Sequence, residues 1–240
     1  VVGNPFTILK YFGRSVETAY SMIIMNDIEV LQKIKAEGIC AIIRGQTLDS
    51  LYNIVDALIS GGIRIVEITF DTNNADDMIG ELTKYYKDDV LVGAGTVIDS
   101  ETARTAILAG AKFVLSPTLN VNVIKMCKRY SVLAVPGVTT ATEALTAWEN
   151  GAQLVKIFPA GVLGPNYIKQ IKGPLSQIEM MAVGSVDLEN FKQLINAGAC
   201  AAGIGGELVS SNLVKECNFS EITRRAKLLK NYFKEIKEVM

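Results

Sequence analysis

The feature that most constrains this chain is a repeat of short β-branched runs separated by amphipathic stretches. Eight such runs occur: "ICAIIR" from Ile39, "RIVEITF" from Arg64, "VLVGAG" from Val90, "KFVLS" from Lys112, "VLAVPG" from Val132, "QLVKIF" from Gln153, "IEMMAVG" from Ile178 and "CAAGIG" from Cys200. Runs of this length and composition read as strands. Between them the apolar spacing has helical period over 48–59, 75–86, 101–108, 121–130, 142–149, 166–171 and 188–197, with a last helix over 220–239. Several of these end in "ISGG", "LAGA" or "NAGA", where glycine suits the left-handed turn back into a strand. Eight βα units in about 210 residues predict an α/β fold, a single-domain (β/α)8 TIM barrel. A doubly wound open sheet is the rival; the evenness of the repeat and the lack of GxGxxG after the first run favour the barrel. The helices share no fixed-length sequence repeat, which argues against a solenoid.

Composition narrows the function classes. A chain of 240 residues that is 49% hydrophobic can bury one sizeable core. Its 24 basic and 25 acidic residues nearly cancel, and no basic block suggests nucleic acid. Cys40, Cys127, Cys200 and Cys217 are widely spaced and read as reduced thiols of a cytoplasmic protein. There is no histidine, which excludes a Ser-His-Asp triad, a Cys-His pair and His-rich zinc sites. Acid–base work must fall to carboxylates, lysine, tyrosine, cysteine or water. No stretch reaches the roughly 20 apolar residues of a membrane span. Residues 1–26 contain the apolar "SMIIM" but also Lys10, Arg14 and Glu17, and lack the layout of a signal peptide. They read as an N-terminal extension or leader of unknown role, with the barrel over 27–240.

Barrel enzymes build their sites at the C-terminal ends of the strands. Those positions hold Arg44, Glu67 and Asp71, Thr96, Pro117, Pro136-Gly137, Lys156 and Phe158, Gly184-Ser185, and Gly205-Gly206. Lys156 lies inside an apolar run, where a lysine is costly unless paired or neutralised. If it points into the barrel, Leu154 and Phe158 do too, while Val155 and Ile157 face the helices. A lysine here can snorkel to the rim or balance a carboxylate. It can also serve as a nucleophile, because Glu67 sits inside another apolar run. Desolvation and the Arg44 cation would lower the pKa of the amine, and a free amine condenses with a ketone. The glycines after the last two runs read either as tight turns or as backbone N–H donors for a phosphate. The small residues of "VGAGTV" would let a substrate approach the backbone, and Thr96 could hold a carboxylate. Asp71, Asp76 and Asp77 are expected to solvate and cap a helix start.

These motifs together resemble the 2-keto-3-deoxy-6-phosphogluconate / 4-hydroxy-2-oxoglutarate (KDPG/KHG) aldolases, from about Ile28 to the C-terminus. The resemblance rests on "AIIRG", "GGIRIVEITF", "VGAGTV", "GAKFVLSP", "VPGVTTATEA", "VKIFPA", "GPNYIKQIKGPL" and "AGIGGELV". It implies a class I aldolase, a homotrimer without metal or cofactor, that forms pyruvate from a keto acid. It implies Lys156 as the Schiff-base lysine and Glu67 as general acid/base. Arg44 and Thr96 would hold a carboxylate, Pro117 and Phe158 would shape the pocket, and Gly184, Ser185, Gly205 and Gly206 would line a phosphate end. The chain departs from the family pattern at Asp71, where many members have arginine, at Gly161, at Val183 in "AVGS", and at Gly206 followed by Glu207. Loss of two hydroxyls predicts weaker preference for phosphorylated substrate, with Glu207 expected to face away from the barrel axis. Two other functions fit the repeat alone: a phosphate-binding barrel isomerase or synthase, and a sugar-acid-binding barrel without turnover.

Overall fold

The structure, a computed structural model, describes residues 25–239; most of the expected extension lies outside that range. Nine strands form one parallel sheet: β1 (Ile39–Ile43), β2 (Ile65–Thr69), β3 (Leu91–Gly95), β4 (Phe113–Leu115), β5 (Leu133–Val135), β6 (Gly137–Val138), β7 (Leu154–Ile157), β8 (Glu179–Val183) and β9 (Ala201–Ile204). Their order is β5-β4-β3-β2-β1-β9-β8-β7-β6. The two ends of that order are two pieces of one run, "VLAVPG", split at Pro136. Proline has no N–H to give a ladder, but its carbonyl still accepts from the Lys156 N–H at 2.8 Å. The divided run therefore pairs with β4 on one side and β7 on the other, and the barrel closes. All eight expected runs are strands, and the ninth strand is the fifth run interrupted.

The apolar residues separate into two layers. Ile42, Ile65, Leu91, Phe113, Leu133, Leu154 and Met181 fill the barrel interior. Val30, Leu31 and Ile34 of α1 (Asp27–Glu37) join that cluster and close its N-terminal end. This helix starts at a capping box, with Glu29 N–H to the Asn26 side chain at 3.0 Å and Asn26 N–H to the Glu29 carboxylate at 2.9 Å. The second layer lies between strands and helices and includes Val155, Ile157, Val66 and Ile68.

Helices α2 (Leu48–Ser60), α3 (Ala75–Tyr86), α4 (Ser100–Ala109), α5 (Val121–Arg129), α6 (Ala141–Glu149), α8 (Pro165–Lys172), α9 (Phe191–Asn196) and α11 (Phe219–Val239) match the expected periodic stretches. Helices α1, α7 (Ala160–Leu163) and α10 (Ser211–Lys215) were not expected from periodicity. The last two are too short to show a period. Helix α9 starts later than its pattern because Asp187 and Asn190 bond each other's backbone N–H groups and hold the chain in a turn. No helix among the described residues is long and apolar enough to cross a membrane.

Candidate active site

Strand alternation places Lys156 in the barrel lumen. Leu154 belongs to the interior core, whereas Val155 and Ile157 belong to the helix-facing layer. Lys156 is 5% exposed and Glu67 is 1% exposed. The lysine Nζ lies 4.9 Å from the centre of the Phe158 ring, which continues the same inward face. Lys156 and Glu67 form no direct ion pair, and Glu67 Oε2 is buried without a hydrogen-bond partner among the described residues. Burial lowers the lysine pKa; Glu67 opposes that shift and the Arg44 cation adds to it. Burial raises the Glu67 pKa, held back by Lys156 and then Arg44. The result is an amine nearer its neutral form beside a carboxyl able to hold a proton.

Gly95 was not singled out as a site residue, yet it makes room for this carboxyl. A Cβ at position 95 would overlap the Glu67 side chain, and one at Gly93 would overlap the Phe113 ring. The small residues of "VGAGTV" thus accommodate side chains from neighbouring strands rather than the substrate. A signal was present: two glycines at alternate positions of β3 face the same lumen as Glu67. Cys40 is a second residue missed. Its thiol is fully buried near the pair, and burial followed by the Glu67 charge pushes its pKa well up, so it stays neutral.

Arg44 follows β1 and spans two partners at the mouth. Its Nη1 pairs with the Asp71 carboxylate, and its Nη2 donates to Thr96 Oγ1 at 3.1 Å. Asp71 therefore partners Arg44 rather than capping α3. The N-cap of α3 is Asn74, left-handed at φ 56°, with no side-chain cap. Thr96 also has a left-handed backbone, at φ 58°.

A cavity of about 330 Å³ joins these elements. It is lined by Ile42, Arg44, Glu67, Lys156, Phe158, Val183, Gly184, Ser185, Val186, Gly203, Gly205, Gly206 and Glu207. Eight of the ten expected site residues border it. Thr96 reaches it through Arg44, and Pro117 packs against Gly137 outside that lining. Glu207, expected to face away, borders the cavity. Ile42, Val186 and Gly203 were missed because apolar and small lining residues carry no chemical signature in a sequence. Among the described residues no group of three or more His, Cys, Asp or Glu is placed to hold a metal ion.

The amine, the carboxyl and the guanidinium line one pocket at the C-terminal end of the strands, and known proteins are similar to this chain in sequence and fold. The 2-dehydro-3-deoxy-6-phosphogalactonate aldolase of Escherichia coli is 40% identical over 169 residues, 70% of this chain and 82% of its own. The 2-dehydro-3-deoxy-phosphogluconate aldolase of Haemophilus influenzae is 31% identical over 197 residues, 82% of this chain and 92% of its own. A crystal structure of KDPG aldolase from Legionella pneumophila, with pyruvate captured as a covalent carbinolamine, superposes with a TM-score of 0.77 at 26% identity. It covers 82% of this chain and 95% of its own. The family model "KDPG and KHG aldolase" matches residues 30–225, and the chain belongs to that aldolase family.

Proposed function

We propose that this chain is a class I aldolase that cleaves a 2-keto-3-deoxy sugar acid, phosphorylated at its far end, to pyruvate and an aldehyde. The observation that carries the reading is the buried lysine beside a buried carboxyl whose Oε2 has no partner among the described residues. A lysine held only for structure would be paired; this one is depressed by burial and reaches a cavity. The acid carboxylate of the substrate faces Arg44 and Thr96. Among sugar acids, the galacto configuration named for the Escherichia coli relative takes precedence. 4-Hydroxy-2-oxoglutarate, which would give glyoxylate, is the second candidate of the same chemistry.

The steps follow from the two groups. The neutral Lys156 Nζ attacks the C2 carbonyl to give a carbinolamine. Protonated Glu67 donates to the departing hydroxyl, water leaves and an iminium ion remains. Glu67, now ionised, takes the C4-hydroxyl proton. The C3–C4 bond then breaks, its electron pair moving into the iminium to give an enamine as the aldehyde departs. The enamine takes a proton at C3, and water releases pyruvate and restores the amine.

We infer further that the chain forms a homotrimer in the cytoplasm. A solved structure 35% identical to this chain is a protein cage built by fusing symmetric oligomeric domains, which supports self-association. Pyruvate release from 2-keto-3-deoxy-6-phosphogalactonate, its gluconate epimer and 4-hydroxy-2-oxoglutarate tests the activity. Cleavage of at least one supports the reading; none counts against it.

A further inference from the structure

One wall of the cavity is built by the turn after β8. Gly184 has φ 90° and Ser185 has φ 53°, both left-handed. That is a costly state for serine, so something must hold it. Two contacts do. The Gly184 carbonyl accepts from the Gly161 N–H at 2.8 Å. The Ser185 carbonyl accepts from Asn190 Nδ2 at 2.7 Å. Asn190 is itself fixed, because its Oδ1 accepts from Asp187 N–H at 3.1 Å and its own N–H donates to Asp187 Oδ1 at 2.9 Å.

A trans peptide carries its C=O and the next N–H on opposite sides. Drawing the carbonyls of 184 and 185 toward α7 and Asn190 therefore turns the N–H groups of Ser185 and Val186 the other way. Neither N–H has a partner among the described residues, and both residues line the cavity. Two adjacent N–H groups in such a turn form a concavity suited to an anion. The fit with α7 is close: a Cβ at Gly161 would overlap the Ser185 carbonyl. Gly161 and Ser185 are thus coupled, and a side chain at 161 would require a different turn.

We propose that Asn190, with Gly161, is the positioning residue that sets this turn so that its N–H groups bind the phosphate of the substrate's far end. The proposal rests on the aldolase reading. Asn190 touches no reacting atom; it acts through the Ser185 carbonyl.

The test compares Asn190→Asp, Asn190→Ala and Gly161→Ala with the wild type. The Asp variant keeps an oxygen that can accept from the Asp187 N–H, loses the donor to the Ser185 carbonyl and adds a charge. The Ala variant separates a lost donor from an added charge. Steady-state kinetics are run with 2-keto-3-deoxy-6-phosphogalactonate and with its unphosphorylated analogue, alongside borohydride trapping of pyruvate. The expected result is a rise of about tenfold or more in KM for the phosphorylated substrate, as for loss of one or two hydrogen bonds to a charged group. The kcat stays within about twofold, and the unphosphorylated substrate and pyruvate trapping do not change. Equal losses on both substrates would reduce Asn190 to a structural role and overturn the proposal. So would unchanged kinetics, or a wild type indifferent to the phosphate. If the wild type traps pyruvate while these outcomes fail, only this inference falls; if it traps none, the aldolase reading falls with it.

Discussion

The two ends of the cavity are built differently. At the reacting end, Lys156 and Glu67 stand on strands and are fixed by register: Lys156 pairs with Gly137 and Met181, and Glu67 with Ile42 and Gly93. At the far end the turns after β8 and β9 line the cavity, and Gly161 and Asn190 hold the one after β8 from outside it. A strand residue cannot shift without breaking its ladder, whereas a turn can flip one peptide. This division assigns chemistry to the rigid wall and substrate choice to the turns.

The comparison would break first at Lys156. Replacement by Met should abolish cleavage and leave the thermal midpoint unchanged or raised, since an apolar side chain of similar volume avoids desolvating a charge. Turnover assays with a melting curve check this; retained cleavage would remove the wall from the chemistry. Glu67→Gln keeps the shape and loses proton transfer, with an expected fall of about 10²–10⁴ in kcat. Gly95→Ala should follow it, because the new Cβ displaces the Glu67 carboxyl. A Gly95→Ala enzyme with wild-type kcat would show that the carboxyl need not sit where it does.

The pH profile sharpens the same point. Only the neutral amine attacks, so at saturating substrate the rate should rise as pH climbs through the Lys156 pKa. Burial and Arg44 set that pKa below the ordinary lysine value of about 10.4. Arg44→Met removes a nearby cation and should move this limb to higher pH, besides raising KM. A limb that stays in place would mean that burial alone sets the amine. The smallest effect is expected at the far end. Val183→Thr adds one hydroxyl to the lining. It should raise the ratio of kcat/KM for the phosphorylated substrate over its unphosphorylated analogue by about two- to tenfold, the range of a single neutral hydrogen bond.

The same division explains what the sequence disclosed. Strand period ties the orientations of Lys156, Leu154 and Phe158 together in the sequence alone, because alternation on a strand sends all three to one face. Glu67 inside "RIVEITF" was legible for the same reason. The split at Pro136 was not, since a proline at a strand end is compatible with continuing or stopping. The pairing of Arg44 with Asp71 was hidden because 27 residues separate them and only barrel closure brings the turns together. Gly95 was half legible: alternation puts Gly93 and Gly95 on the Glu67 face, but a glycine does not announce which neighbour fills its space. Asn190 gave no signal at all: its role depends on a carbonyl turned by a left-handed serine. Turns after the strands are where sequence pattern is weakest, and that is where substrate choice is proposed to lie.

The central claim is that Lys156 forms a Schiff base with a keto acid in this pocket. The direct measurement is incubation with pyruvate and borohydride, followed by intact mass and peptide mapping. The account predicts one reduced pyruvate per chain, located on Lys156 and absent from the Lys156→Met variant. Adduct on another lysine, or none at saturating pyruvate, would contradict it.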